Sequence, residues 1–527
     1  MSLKSGGRSA MVVGAGIFIS RIVGLLRNLL FARYFGAGVA SDAYTAAFKI
    51  PNAVRNLLGE GTLSAAFVPI YSRLLVRGDE KASRALAGAI LGLLLVAVSV
   101  LTLVGIAIAP WLTSLLAMGF DDSTQELTTR LTRVLFPMTG LMVLSGWCLG
   151  IQNSHRRFFW SYASAALWSI AQIALLLAWG SRATDMVELS LWLAWATLIG
   201  AILQVGAQLP EVIRLVWPFP VSLNTMAEGV KQTLRNVVPV VTALGVVQIS
   251  SFVDLQIASW LPSGAATNMS YANTIALLPV SLFGVSVAAA SLPEFSRESG
   301  SLALDALLER LRSGWQRILF YIIPSTVAFT AFGDLCVGIL YRGGKFGAPE
   351  QAVVHLVLAA FAVGLISFAS VKLLSSAYYA MQDYKTPLRA SISSIIVSAF
   401  ASIAIAIPLR ASPYASAGIA LGTALGSYVN LSILIGGLHK KLGALYTSTM
   451  WAGTRRIVIA SIVGAVIAFA ARQAVFTGIP AVHPRVVGPP ILALFGVVYL
   501  VVAWWMGSGE AARWLRLAPR VRSTSAA

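Results

Sequence analysis

The sequence predicts an all-α integral membrane protein of about fourteen transmembrane helices, built as two six-helix lobes in parallel repeat and closed by a C-terminal helix pair. Three observations lead there: an apolar, charge-poor composition, the regular spacing of long apolar runs, and an internal echo. Of 527 residues, 57% are hydrophobic and 11% charged, with mean hydropathy +0.79. A soluble domain would carry roughly a quarter charged residues.

An apolar run must reach about 20 residues to cross a hydrocarbon core. Such runs are centred near residues 22, 56, 98, 140, 169, 199, 245, 281, 327, 366, 397, 425, 465 and 497. Lys4 and Arg8 precede the first run as they would in a secretory signal, but Arg21 and Arg27 interrupt it, so it reads as a retained first helix. Cys148 and Cys336 lie inside apolar runs and read as two buried free thiols. The four histidines, at 155, 355, 439 and 483, have no ligand spacing, and neither a phosphate loop nor a nucleophile elbow is present. The chain is therefore not read as an enzyme, and direct ATP hydrolysis is not expected.

The net charge of +19 is distributed as topology rather than as a nucleic-acid surface. Arg73, Arg77, Lys81 and Arg84, then Arg156 and Arg157, Arg214, Lys231 and Arg235 fall in loops of one parity, and Arg310, Arg312, Arg317, Lys385, Arg389, Lys440, Lys441, Arg455 and Arg456 continue that set. Loops of the other parity hold few cations and several acids, such as Asp121, Asp122 and Glu126. This is the positive-inside pattern. With an even number of spans it places both termini in the cytoplasm. The tail carrying Arg513, Trp514, Arg516, Arg520 and Arg522 then suits a surface of anionic phospholipids.

The echo pairs Ala65–Arg73, closing the second span, with Ala289–Arg297, closing the eighth. A second echo sets Gln152-Asn153 against Gln382-Asp383. Six spans per copy is an even number, so both copies enter from the same side, a recurrent transporter design. The expected division is a lobe over 1–210, an amphipathic interfacial linker over 211–235, a lobe over 236–440, and a terminal helix pair with basic tail over 441–527. Gly418, Gly422 and Gly426 form a small-residue ridge in span twelve, which reads as close helix packing.

Chemistry concentrates in the first sixty residues. A charge at mid-bilayer costs roughly 2.5–3.5 kcal/mol on insertion scales. Span one nevertheless carries Arg21 and Arg27. At 100° per residue Arg21 and Asn28 share a face, Arg27 lies about 120° round, and Gly24 falls between them. In span two, Asp42, Lys49, Asn52, Asn56 and Glu60 fall within about 80° of one another, flanked by Arg55, provided that helical phase survives Pro51. One reading pairs these charges internally, so that they pin the bundle. The other starts from the excess of Arg21, Arg27, Lys49 and Arg55 over Asp42 and Glu60, which calls for an anionic partner, and arginine forks suit phosphate.

Ser20-Arg21-Ile22-Val23-Gly24-Leu25-Leu26-Arg27, Phe35-Gly36-Ala37-Gly38, Ser41-Asp42-Ala43-Tyr44, Ala47-Phe48-Lys49-Ile50-Pro51-Asn52 and Ala66-Phe67-Val68-Pro69 closely resemble the bacterial lipid II flippase (MurJ, MviN) family of the multidrug/oligosaccharidyl-lipid/polysaccharide exporter superfamily. Tyr271-Ala272-Asn273 and Gln382-Asp383-Tyr384-Lys385-Thr386-Pro387 continue the likeness over nearly the whole chain. The resemblance implies two six-helix lobes around a cavity, a terminal helix pair grooved for a polyprenyl tail, and export of the undecaprenyl-pyrophosphate-linked peptidoglycan precursor. It carries the required cavity charges onto Arg21, Arg27, Asp42 and Arg55. Thr274 departs from the pattern, since arginine is usual there, and Lys372 in span ten is the candidate to compensate.

The resemblance also implies a cation site in some members, and Asp254 in span seven and Asp383 at the end of span ten are the residues here that would form it; carboxylates suit Na⁺ or H⁺, with membrane potential as the other energy source. The alternatives leave Asp254 protonated, or bonded to Gln256 or to a neighbouring helix. The substrate set is thus Arg21, Arg27, Arg55, Asp42, Lys49, Asn52, Glu60 and Lys372. Expected partners are lipid II, membrane phospholipids and cell-wall synthesis proteins, with the chain a monomer. Two other functions fit less of the sequence: a cation-coupled exporter of other amphiphiles or lipid-linked glycans, and a transport-dead envelope scaffold.

Overall fold

A computed structural model describes residues 3–288, 291, 295, 304–478 and 483–515. Among these residues the regular structure is helical. The helices are α1 Leu3–Phe35, α2 Val39–Leu58, α3 Glu60–Ala66, α4 Val68–Val76, α5 Glu80–Leu116, α6 Asp122–Ser154, α7 Phe158–Trp179, α8 Met186–Val216, α9 Val230–Ser259 and α10 Ala265–Pro279. After a π turn at Val280–Val285 come α11 Leu304–Tyr341, α12 Ala348–Ala380, α13 Lys385–Ala406, α14 Ser416–Leu442, α15 Ser448–Gly478, α16 Pro484–Trp505 and α17 Gly509–Leu515. Boundaries follow local chemistry. Asp79, Asp121 and Asp185 cap α5, α6 and α8, accepting the backbone N–H groups of Ala82, Thr124 and Val187.

Among the described residues, eleven helices are long and apolar enough to span a membrane, against the fourteen expected. The 20-residue α2 fails that test because Asp42, Lys49 and Arg55 all lie within it. The second span is also not one helix. It breaks at Gly59, where a Cβ would stand 2.5 Å from the Arg55 carbonyl oxygen, and again at Phe67 before Pro69. Phase survives Pro51, as the stripe requires, but Glu60 lies beyond the break, at the start of a separate helix, and its side chain is outside the described residues.

By internal contacts the chain forms two units, Met1–Ala266 and Thr267–Ala527. The repeat reading starts its second lobe at 236, but the first unit runs on to Ala266 because α9 packs on α2, α3 and α5. Within the first unit α5 lies on α6, and α8 lies on both α6 and α7. Within the second, α11 lies on α12, and α14 lies on both α12 and α13. The turns match in detail. Arg156 and Gln382 adopt positive φ, 61° and 57°. The N–H groups of His155, Arg156 and Arg157 donate to the carbonyls of Ile151, Asn153 and Gln152; those of Met381, Gln382 and Asp383 donate to Ala377, Tyr379 and Tyr378 in the same order. Gln152 is therefore equivalent to Tyr378, and the echo that set it against Gln382 is out of register. The other echo, at Ala289–Arg297, lies almost wholly outside the described residues.

The expected amphipathic linker forms no helix of its own. Between Trp217 and Gly229 the chain is an irregular strap held against α5. Pro218 and Pro220 withhold donors, and the carbonyls of Pro220 and Ser222 lie where side chains at Gly88 and Gly92 would project. The amphipathic composition survives without the helix, since Trp217, Leu223 and Met226 are exposed. In the second unit Gly418, Gly422 and Gly426 bring α14 onto the α13 backbone. A Cβ at Gly422 would stand 2.5 Å from the Ser402 backbone nitrogen. The ridge is a packing surface, as its spacing predicts.

Candidate functional site

The cationic face of α1 is partly open. Arg21 is exposed, and no atom lies within 4 Å of where a Cβ at Gly24 would stand. Arg27, half-buried, turns toward its neighbour and donates from Nε and Nη2 to Asn28 Oδ1 at 3.2 and 2.8 Å. Its guanidinium also lies 4.7 Å from the centre of the Trp168 ring in α7. Trp168 stacks on Phe48, and Phe48 on Tyr44, so an aromatic column from α2 supports this cation. Tyr44 is fixed in turn by Thr197, with the two hydroxyls 2.8 Å apart. Sequence spacing identified the arginines but gave no sign of Trp168, which lies 141 positions from Arg27 in an apolar run.

The stripe on α2 meets α9 and the turn that follows it. Asp42 is buried, and its Oδ2 accepts the Gly264 N–H at 2.6 Å. Lys49 Nζ donates to the Ser251 carbonyl at 3.2 Å and lies within electrostatic reach of Asp254. Asn52 Oδ1 is buried with no hydrogen-bond partner among the described residues. Arg55, half-buried, is engaged within the chain. Asp42 and Lys49 thus each meet a main-chain group within the unit, while Arg21 remains presented outward.

The remaining candidates belong to the second unit and are described there by themselves. Lys372 is exposed on α12 with no ion-pair partner among the described residues. The Thr274 hydroxyl donates to the Ser270 carbonyl one turn back, at 2.9 Å. Asp383 caps α13: Oδ1 accepts the N–H groups of Lys385 and Thr386, and Oδ2 accepts the Thr386 hydroxyl at 2.7 Å and Lys441 Nζ at 2.6 Å. Burial alone would raise this carboxyl; the donors from Lys441 and Thr386 outweigh it and hold the group well below the usual carboxylate range. Asp254 and Asp383, the two residues read as a cation site, each have a lysine for countercharge.

The last two spanning helices pack on α11. Arg472 of α15 makes a two-pronged ion pair with Asp334 of α11, at 3.1 and 2.6 Å, and the Tyr499 hydroxyl of α16 donates to the Phe320 carbonyl at 2.6 Å. Between α11 and α16 runs an apolar groove of about 380 Å³, walled by Phe320, Pro324, Ala328, Leu492 and Gly496.

Comparison with known proteins gives one consistent answer. The family model described as lipid II flippase MurJ matches residues 31–486. The chain is 30% identical over 515 residues to the lipid II flippase MurJ of Burkholderia cenocepacia, covering 95% of this chain and 97% of that one. It is 28% identical to a Rhizobium tropici protein named "Probable lipid II flippase MurJ", covering 87% of this chain and 86% of that one. Among solved structures, a lipid II flippase MurJ in an inward closed conformation superposes with a TM-score of 0.77 at 22% identity, over 96% of this chain and 100% of that one. An inward-facing MATE family multidrug resistance transporter of the MOP superfamily gives 0.62 at 15% identity, over 83% and 98%. A match over most of the length at this identity, on the same helical fold, settles the kinship: the chain belongs to the lipid II flippase MurJ family.

Proposed function

We propose that this chain moves lipid II from the inner to the outer leaflet of the bacterial cytoplasmic membrane by alternating access, with both termini cytoplasmic. Family membership supports the reading, and so do the relatives named for that activity. The observation that carries it is Arg21, an outward-presented guanidinium beside the open space at Gly24. Holding that charge in an apolar helix is costly, and an accepting diphosphate offsets the cost through two-pronged, charge-assisted hydrogen bonds. Asn28 on the same face, and Arg27 bonded to it, extend the polar surface. A cavity selecting cationic drugs would not present an exposed guanidinium there.

The test is complementation of cells depleted of their own flippase, reading lipid II accessibility at the outer leaflet. The wild-type chain restores it; Arg21→Ala does not; Arg21→Lys restores part, because an ammonium keeps the charge without the fork. Full restoration by Arg21→Ala would overturn the role given to Arg21. Failure of the wild-type chain to restore accessibility, with export of a cationic amphiphile instead, would favour the exporter reading.

A further inference from the structure

The hold on Arg27 closes on itself. Its guanidinium lies over Trp168 of α7, Trp168 stacks on Phe48 of α2, and one turn earlier in α2 Tyr44 stacks on Phe48 with ring centres 6.3 Å apart. Tyr44 in turn meets Phe31 at 5.4 Å, and Phe31 lies one turn beyond Arg27 on α1. The circuit therefore leaves α1 at one residue, passes through α7 and α2, and returns to α1 a turn later. Its members are fixed from outside. Thr197 of α8 donates its hydroxyl to the Leu193 carbonyl at 2.7 Å, so the Tyr44 hydroxyl is the donor to Thr197. Gly200, on the same helix, admits the backbone of Trp168. A Cβ at Gly200 would stand 2.7 Å from the Trp168 carbonyl oxygen, which also accepts Gln172 Nε2 at 3.3 Å.

Tryptophan is used here for its ring face. The indole N–H is buried and has no hydrogen-bond partner among the described residues, so the ring is not held through its donor. An unbonded buried N–H is a cost that phenylalanine would avoid. What tryptophan adds is the most electron-rich face, the strongest ring partner for a cation. A guanidinium held over a ring keeps its in-plane N–H groups for hydrogen bonds, as Nε and Nη2 of Arg27 show on Asn28. Ordering a loose arginine costs rotamer entropy when a ligand arrives, and ordering it beforehand removes that cost from the binding step.

We infer that Trp168 is a positioning residue for the lipid-linked diphosphate. It acts through Arg27 rather than on the substrate, holding the guanidinium at one place on the cationic face so that the incoming phosphate meets a donor already set. This role rests on lipid II being the cargo.

The purified full-length chain in detergent is titrated with lipid II, and retained lipid is followed by native mass spectrometry. Affinity should fall about tenfold in Trp168→Ala and about threefold in Trp168→Phe, as the loss or weakening of a partly desolvated cation–ring contact implies. Position 168 is then filled, by suppression of a stop codon, with tryptophan carrying one, two or three ring fluorines, which drain the face while nearly keeping its shape. With Arg27 present, affinity should decline in steps with fluorine number. In Arg27→Gln protein the fluorines should have no effect, because the cation is gone. A ring that only fills space gives no such series, and the series decides if Trp168→Ala fails to fold. Equal affinity across the fluorinated proteins, or the same decline with and without Arg27, overturns the role given to Trp168. Retention of lipid II by none of the proteins, wild type included, overturns the lipid II reading and this role with it. Wild-type retention that is indifferent to position 168 overturns this role alone.

Discussion

Asp383, at the start of α13, holds Lys441, at the end of α14, across a 2.6 Å ion pair. One carboxylate therefore caps a helix and ties its entry to the exit of the helix packed beside it. Asp383→Asn should keep much of the cap, because asparagine accepts backbone N–H groups, but lose the charge pair. At neutral pH the expected loss is about 0.5–1 kcal/mol, modest because the Lys441 side chain is still 44% exposed. The folded carboxyl ionises at lower pH than the unfolded one. Its contribution is therefore complete above about pH 4 and fades as the pH falls toward the folded value. Unfolding curves of wild type and Asp383→Asn in detergent should converge below that pH. A gap that stays constant would show that the ion pair contributes nothing.

Gly422 and Gly436 lie on one helix in opposite circumstances. Gly422→Ala drives a methyl group into the Ser402 backbone, whereas a methyl at Gly436 meets nothing within 4 Å. The first should cost about 1–3 kcal/mol by overpacking, and the second should gain a few tenths to about 1 kcal/mol from helix propensity. Thermal unfolding of the two variants should move in opposite directions.

Arg472 and Asp334 fasten α15 to α11 with both side chains mostly withdrawn from solvent. Removing either alone leaves an uncompensated charge. Arg472→Ala or Asp334→Ala should cost more than about 1 kcal/mol each, and the double variant less than their sum. Additive losses in a double-mutant cycle would mean that the two charges act separately.

Lys372 and Thr274 test whether a cation lost from one helix is replaced on another. Lys372→Ala should impair complementation of flippase-depleted cells, and adding Thr274→Arg should restore part of the activity. Silent behaviour of Lys372→Ala would make the lysine an exposed cation without a transport role.

Helix existence was legible because each long apolar run has one stable fate in hydrocarbon: α5, α12 and α16 required no more than counting. The charged residues of α1 and α2 were legible for the converse reason, being costly where they stand. Breaks and partners were not. The helix ends at Gly59 in a backbone conformation (φ −86°, ψ −133°) that would drive a side chain's Cβ into the Arg55 carbonyl, and Asp42 finds Gly264, a main-chain donor that no residue type advertises. The register of the repeat was misread because identical letters, Gln152 and Gln382, outvoted an equivalence carried only by backbone conformation at Arg156 and Gln382. The strap at 217–229 has the composition of an interfacial helix, and its prolines deny it the hydrogen bonds.

The glycine ridge has a mechanical meaning. With backbone seated on backbone at Gly418, Gly422 and Gly426, α14 cannot turn about its own axis without driving a neighbouring residue into α13, and cannot slide without losing every glycine contact at once. The pair is a stiff plank. Bending in this unit is left to places where helical bonding is already interrupted: the π turn at Val280–Val285 and the non-helical Phe332 within α11. A crosslink pinning α13 to α14 should therefore leave the cycle running, whereas one bracing α11 across Phe332 should stall it.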